Sequence, residues 1–159
     1  MTTPAPTSCL VVGYDGSRAA HAALALAVER AGDRRIYVVH AYDAPAEFWG
    51  NEHYQEVLER ALTRGEELLA AVEHEPVLAG ANIETELIPG QPAQVLTTVA
   101  ETRGADEIIV GTRGFGRVRA VLGSVAHELL HVAPCPVIVI PDRAVARATA
   151  PVAADAATA

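Results

Sequence analysis

Short apolar runs alternate with longer amphipathic segments along most of the chain. Five of the runs predict strands: residues 9–13, 36–41, 83–88, 107–111 and 136–140. Four of these are almost continuously apolar, which is typical of strands that are buried on both faces of a parallel sheet. Residues 83–88 instead alternate apolar and polar positions, which predicts a half-buried strand at the edge of the sheet.

The intervals between the strands carry helix signals. The predicted helices cover about residues 17–29, 52–75, 92–103 and 123–133. Ser17 suits the N-cap of the first helix, and Pro92 and Gly104 suit the two ends of the third. Strands that alternate with helices predict an α/β fold, a single open, doubly wound parallel sheet with helices on both faces. Ligands of such sheets bind at the carboxyl ends of the strands, here the loops after strands one, two and four.

One domain, residues 8–141, accounts for this pattern. The chain has 159 residues, half of them apolar, which is enough for a single buried core. Residues 1–7 are rich in Thr, Pro and Ala, and residues 142–159 are rich in Ala without apolar periodicity. These compositions predict a flexible tail at the N-terminus and a disordered tail at the C-terminus.

Charge and cysteine content exclude several classes of function. The net charge of −8 argues against a nucleic-acid binder or a basic membrane-surface protein. Two cysteines, Cys9 and Cys135, are too few for a disulfide framework and are predicted to be buried apolar residues. The first residues do not resemble a signal peptide, and no apolar run has the length of a membrane span, so a cytoplasmic location is expected.

All 12 basic residues are arginines, because the sequence contains no lysine. A Walker-type phosphate loop, a Schiff-base enzyme and a protein kinase each need a lysine. These classes are therefore excluded.

The segment after the fourth strand combines glycine with positive charge. Four glycines fall within residues 111–123: Gly111, Gly114, Gly116 and Gly123. The same stretch holds no acid and three arginines: Arg113, Arg117 and Arg119. Glycine lets backbone N–H groups approach a phosphate, and the helix that begins at Ser124 would add its dipole and a hydroxyl donor. The segment predicts a phosphate site, with a flexible, solvated basic loop as the alternative.

The loops after the first two strands supply candidates for the rest of a nucleotide. Asp15 follows the strand that ends at Gly13, where its carboxylate could accept hydrogen bonds from ribose hydroxyls. Ser17 is better explained as a helix cap. Ala41, which follows strand two, could offer backbone groups to an adenine edge while its small side chain leaves room.

As a set, these motifs resemble those of the ATP-binding universal stress proteins. The matching segments are GTRG (111–114) with GS (123–124), VGYDGS (12–17), VHA (39–41), GQPA (90–93) and APCPVIV (133–139). The resemblance covers residues 8–141. It implies strand order 3-2-1-4-5 and a homodimer that pairs through the last strand, Val137–Ile140.

The resemblance also implies the roles of individual residues. Asp15 would contact the ribose, and Ala41 would meet the adenine. The ribose and phosphates would be held by Gly111, Gly114, Gly123, Ser124 and Val125. Gly13, Arg113, Gly116 and Arg117 complete the predicted nucleotide site.

The glycine loop departs from the family pattern in length. Eight residues, 115–122, separate Gly114 from Gly123, one fewer than is usual in the family. Because a shorter loop can move the triphosphate pocket, ATP, ADP and AMP stay open as ligands, with Mg²⁺ carried in by the nucleotide. The sequence predicts a nucleotide-dependent stress regulator with an unidentified protein partner and slow or no ATP hydrolysis. The alternative is a dimeric, stress-linked interaction protein that has lost nucleotide binding.

A zinc-hydrolase motif also occurs near the C-terminus. His127, Glu128 and His131 match H-E-x-x-H, but no convincing third ligand follows them. An amphipathic helix explains the same spacing. Its predicted buried face consists of Val125, Ala126, Leu129, Leu130 and Ala133. The three polar residues would then face solvent, and a zinc hydrolase is the minor alternative.

Overall fold

The described residues form an all-parallel, five-stranded sheet flanked by four helices. A computed structural model describes residues 8–43, 52–112 and 122–141. The strands are β1 (Cys9–Gly13), β2 (Arg35–Tyr42), β3 (Ile83–Pro89), β4 (Glu107–Gly111) and β5 (Val137–Ile140). The helices are α1 (Arg18–Ala31), α2 (Glu52–Glu73), α3 (Pro92–Arg103) and α4 (Ser124–Val132), with a 3-10 turn at Pro76–Leu78. The strand order β3-β2-β1-β4-β5 confirms the predicted doubly wound sheet.

The core consists of two apolar layers, one on each face of the sheet. Leu10 and Val12 of β1 pack with α1 and α2, whereas Val11 lies on the opposite face with α3 and α4. Successive side chains of a strand point to opposite faces, so a strand covered on both sides needs apolar residues at every position. This explains the continuous apolar run of β1.

The two edge strands are less deeply buried than the central ones. Every residue of β5 and residues 83–88 of β3 are half-buried. The alternating pattern of residues 83–88 therefore identified an edge strand correctly. The equally half-buried β5 is almost continuously apolar, and its sequence does not distinguish it from a central strand.

The buried face of α4 is narrower than its sequence predicts. Ala126 and Leu129 are buried and Val125 is half-buried, as expected. Leu130 is 57% exposed, which corrects the prediction that it belongs to the buried face. Because α4 packs near the edge of the sheet at β5, the core layer covers only the part of the helix that faces inward.

Candidate functional site

The loop after β1 is held by the start of α1. Ser17 is the N-cap of α1, and its hydroxyl accepts a hydrogen bond from the N–H of Ala20 at 3.2 Å. The N–H of Ser17 in turn donates to Oδ1 of Asp15 at 2.9 Å. The capping role predicted for Ser17 is confirmed. Asp15 shares in this turn, but an ionised carboxylate has about four acceptor sites, so it can accept further donors.

β2 extends past the end of β1 and lies beside the loop that follows β1. Gly13, the last residue of β1, pairs with Val39, whereas β2 continues to Tyr42. Ala41 therefore lies beyond the end of β1, half-buried and paired with Ile88 of β3. Ala41 thus belongs to β2 itself, which corrects the expectation that it follows the strand.

Hydrogen bonds of Tyr14 and His40 connect the end of β2 to the loop after β1. The N–H of Tyr14 donates to the carbonyl of Val39 at 2.9 Å, and Nδ1 of His40 lies 2.8 Å from the carbonyl oxygen of Tyr14. Because a carbonyl only accepts, Nδ1 of His40 carries the proton. The loop after β1 and the end of β2 are thus one hydrogen-bonded unit.

Gly13 and Gly111 end the neighbouring strands β1 and β4, and both lie where helices pack closely. A Cβ atom on Gly13 would stand 2.9 Å from Cδ1 of Leu96 in α3. A Cβ atom on Gly111 would stand 2.6 Å from Cβ of Ala19 and 3.0 Å from its carbonyl carbon, in α1. Both glycines lie at the carboxyl ends of their strands. A side chain at Gly111 would collide with the backbone of α1, whereas one at Gly13 would meet only neighbouring side chains.

Thr112 joins the end of β4 to the start of α4. Its N–H donates to the carbonyl of Ile140 at 2.8 Å, and its carbonyl accepts from the N–H of Gly123 at 2.7 Å. These bonds place Gly123 and Ser124 beside the carboxyl end of β4. Four of the predicted site residues lie outside the described part of the chain: Arg113, Gly114, Gly116 and Arg117.

The N-terminus of α4 has the features of an anion site. Its N-cap, Gly123, has no side chain that could accept a hydrogen bond, and its first turn contains no acid. The N–H of His127 donates to the carbonyl of Gly123 at 2.9 Å. Ser124 is exposed and Val125 is half-buried. Backbone N–H groups at such a terminus, together with the helix dipole, attract phosphate oxygens.

The hydroxyl of Thr112 is a site feature that the sequence analysis missed. Its Oγ1 is buried and has no hydrogen-bond partner among residues 8–43, 52–112 and 122–141. An unsatisfied buried polar group costs about 1–3 kcal/mol, so a ligand that pairs with it would recover that energy. The available signal was its position directly after the fourth strand, where ligands of such sheets bind.

The phenol of Tyr14, in the loop after β1, is a second polar group that the sequence analysis missed. The phenol of Tyr14 is 3.1 Å from Nδ1 of His21, which is 3.6 Å from Oε1 of Glu75. Tyr14 is only 4% exposed. Burial, with smaller contributions from the negative charges of Glu75 and Asp15, raises the pKa of Tyr14 to about 12. Its phenol therefore stays neutral throughout the physiological range.

We expect the ionisation of Tyr14 to destabilise the fold at high pH. The pKa of Tyr14 is about 12 in the folded chain and about 10 when unfolded, so the stabilisation is complete below pH 10. The contribution of Tyr14 to the free energy of unfolding falls by roughly 2 kcal/mol as the pH rises toward 12. Urea unfolding between pH 8 and 12 measures this loss. Tyr14→Phe should flatten that part of the profile, and an unchanged profile in this variant would contradict the assignment.

The H-E-x-x-H segment lies on α4. His127 and His131 are exposed, as predicted, whereas Glu128 is half-buried rather than exposed. The described residues contain no group of three side chains that could hold a metal ion. A third ligand for the zinc-hydrolase alternative is therefore missing from this part of the chain.

The described surroundings of the two cysteines raise the pKa of each thiol on balance and so do not activate it. Both are free thiols, Cys9 buried and Cys135 half-buried. Burial is the main cause that raises the pKa of each thiol above its ordinary value. The prediction of a buried residue is confirmed for Cys9, whereas Cys135 is only half-buried. Among the described helices, none combines the length and the apolar character needed to cross a membrane.

Comparison with known proteins identifies similar chains. The model of the universal stress protein family matches residues 9–141. A universal stress protein of Thermus aquaticus is 36% identical over 135 residues, which cover 82% of this chain and 96% of the relative. The solved universal stress protein UspA of Lactobacillus plantarum is 26% identical with a TM-score of 0.72, covering 86% of this chain and 99% of its own. A family protein of Arabidopsis thaliana, solved with AMP bound, shares the fold at 17% identity and a TM-score of 0.61, covering 84% of this chain and 91% of its own.

Proposed function

The chain belongs to the universal stress protein family, and from this premise we propose that it binds an adenine nucleotide at the carboxyl ends of β1, β2 and β4. The observation that carries the proposal is the N-terminus of α4, which has a glycine N-cap and no acid in its first turn. Thr112 holds this terminus against the end of β4 and adds a buried hydroxyl without a described partner. The AMP bound to the Arabidopsis protein supports the ligand class.

Each part of the nucleotide has a place in this proposal. The phosphates lie against Gly123, Ser124 and Val125, where N–H groups and the helix dipole favour an anion. The ribose lies near Asp15, whose carboxylate accepts from its hydroxyls. The adenine lies beside Ala41, where β2 extends beyond β1.

The glycine-rich segment completes the site from outside the described residues. We assign Arg113 and Arg117 to the phosphates as positive charges, and Gly114 and Gly116 to close backbone approach. ATP is the proposed ligand, with ADP and AMP as candidates because the loop is short. Mg²⁺ would enter with the nucleotide, with Asp15 as the one carboxylate placed to help hold it.

The proposed role is regulation rather than catalysis. Neither a lysine nor an acid lies in the glycine-rich segment to orient a water or hold a metal, so ATP hydrolysis should be slow or absent. We propose a cytoplasmic homodimer that pairs through Val137–Ile140 and passes its nucleotide state to a protein partner during stress. We expect neither nucleic acid nor a membrane surface to be a partner, given the net charge of −8.

A second function is favoured by the shortened glycine loop. Eight residues separate Gly114 from Gly123, one fewer than usual in the family. A loop that no longer surrounds the phosphates would leave a dimeric interaction protein without nucleotide. The two functions differ in one measurable property, the affinity for adenine nucleotides.

We expect nucleotide to accompany the purified protein. Mass spectrometry of the denatured, freshly purified chain should release ATP, ADP or AMP, and calorimetric titration of the emptied chain should show one site per chain. Gly114→Val should abolish rebinding, and turnover of ATP should stay below about 1 per second. No released nucleotide and no heat at millimolar ATP would instead support the interaction protein.

A further inference from the structure

His127 and His131 form a pair that the proposed nucleotide site does not use. They lie four residues apart on α4, so their side chains are neighbours on one exposed face. Their ring centroids are 5.1 Å apart and their planes meet at 70°. Within the described residues neither ring has a hydrogen bond or an ion pair, and the two rings contact each other.

The separation of the rings matches what a shared metal ion requires. An imidazole nitrogen binds zinc at about 2.0–2.1 Å, which places the ring centre roughly 3.2 Å from the metal. Two such rings at a tetrahedral angle have centres roughly 5 Å apart. The observed separation of 5.1 Å agrees with this value. The helix therefore holds the two rings at a separation that one metal ion can bridge once both side chains turn a nitrogen toward it.

The exposure of both rings leaves a bound metal ion in contact with water. Both rings are exposed, so a metal ion keeps its remaining positions in water and pays no burial cost. Imidazole ligands suit Zn²⁺, Cu²⁺ and Ni²⁺ rather than Mg²⁺ or Ca²⁺, which prefer oxygen.

We propose that His127 and His131 bind one divalent transition-metal ion per chain, with Zn²⁺ as the representative ligand. The site is a two-histidine surface chelate with open coordination positions, not the zinc centre of a hydrolase. It shares no side chain with the proposed nucleotide site, so it stands whether or not a nucleotide binds.

Calorimetric titration of the untagged, full-length protein with zinc chloride tests this proposal. We expect one zinc per chain with micromolar affinity and a melting temperature raised by several degrees at saturating zinc. His127→Ala and His131→Ala should each weaken binding at least roughly tenfold. Both positions are exposed, so the variants should fold like the parent chain, as circular dichroism would verify.

Two controls separate this pair from histidines in general. His53→Ala/His74→Ala removes two exposed imidazoles elsewhere and should leave zinc binding unchanged. His131→Ala/Val132→His keeps the number of histidines but moves the second ring off the face, so binding should fall as in His131→Ala. Wild-type affinity in the spacing variant, loss of binding in the first control, one zinc per two chains, or no heat with the parent chain would overturn the proposal.

Discussion

Ser124→Asp is expected to abolish nucleotide binding while leaving the fold as stable as before or slightly more stable. Ser124 is the first residue of α4 and is exposed, so the new carboxylate would stand where the phosphates are proposed to bind. Two charges about 5 Å apart at an effective dielectric constant of about 20 repel by about 3 kcal/mol, which is more than roughly 100-fold in Kd. The same carboxylate at a helix N-terminus stabilises the helix by about 0.3–1 kcal/mol.

The opposite signs of these two effects make the result diagnostic. A variant that merely damages the fold would lose affinity and stability together, whereas this one should lose affinity alone. Calorimetry with ATP, ADP and AMP measures the first property, and urea unfolding without nucleotide measures the second. Ser124→Ala removes one neutral donor and should cost only about 1 kcal/mol of binding.

A matched acid elsewhere controls for net charge. Thr98→Asp adds the same carboxylate to an exposed position in the middle of α3, away from the strand ends of the proposed site. It should change nucleotide affinity little, because exposed charges beyond a Debye length are screened at ordinary salt. Equal affinity losses in Thr98→Asp and Ser124→Asp, or tight binding by the latter, would remove the N-terminus of α4 from the site.

Local physical signals explain why the fold was predictable from sequence. A continuous apolar strand such as β1 has no other stable environment than a sheet covered on both faces, as Val11 and Val12 show by packing into opposite layers. Helix boundaries were marked by capping chemistry. Ser17 caps α1, and Gly104 ends α3 in the left-handed conformation that glycine tolerates best.

Features that depend on contacts between distant segments were not predictable. The exposure of Leu130 follows from where α4 lies against the sheet, and the sequence of one helix does not contain that information. The buried hydroxyl of Thr112, which has no partner among the described residues, likewise depends on how the end of β4 meets the start of α4. The interaction of Tyr14 with His21 and Glu75 needs α1 and the segment after α2 to pack together.

The sequence predicted which strand ends would bring the candidate residues together, but it did not predict how those residues pack against the helices. The positions of Asp15, Ala41 and Ser124 near the carboxyl ends of the strands follow from strand order alone. The sequence suggested that Gly111 lacks a side chain for the benefit of a phosphate. The structure shows a second reason, the approach of α1 to within 2.6 Å of where its Cβ atom would lie.

Gly111→Ala is therefore expected to destabilise the chain much more than Gly13→Ala, although both add one methyl group at a strand end. The methyl group of the first would meet Cβ of Ala19 at 2.6 Å and its carbonyl carbon at 3.0 Å, so α1 itself must move. In the second it would meet Cδ1 of Leu96 and Cγ1 of Val110, each at 2.9 Å, so two side chains must shift but no helix backbone. Overpacking costs about 1–3 kcal/mol, and we expect Gly111→Ala near the upper limit and Gly13→Ala near the lower.

The comparison of the two variants isolates the packing effect. Neither glycine has a positive φ angle, and both lose similar freedom in the unfolded chain when replaced by Ala, so these contributions cancel in the difference. Urea unfolding should give free energies about 2 kcal/mol apart, a large part of the 5–15 kcal/mol typical of such domains. Because α1 begins at the cap that holds Asp15, its displacement should also weaken nucleotide binding in Gly111→Ala more than in Gly13→Ala. Equal unfolding free energies would show that α1 yields as easily as two side chains, and the close packing of α1 on β4 would then not explain the glycine.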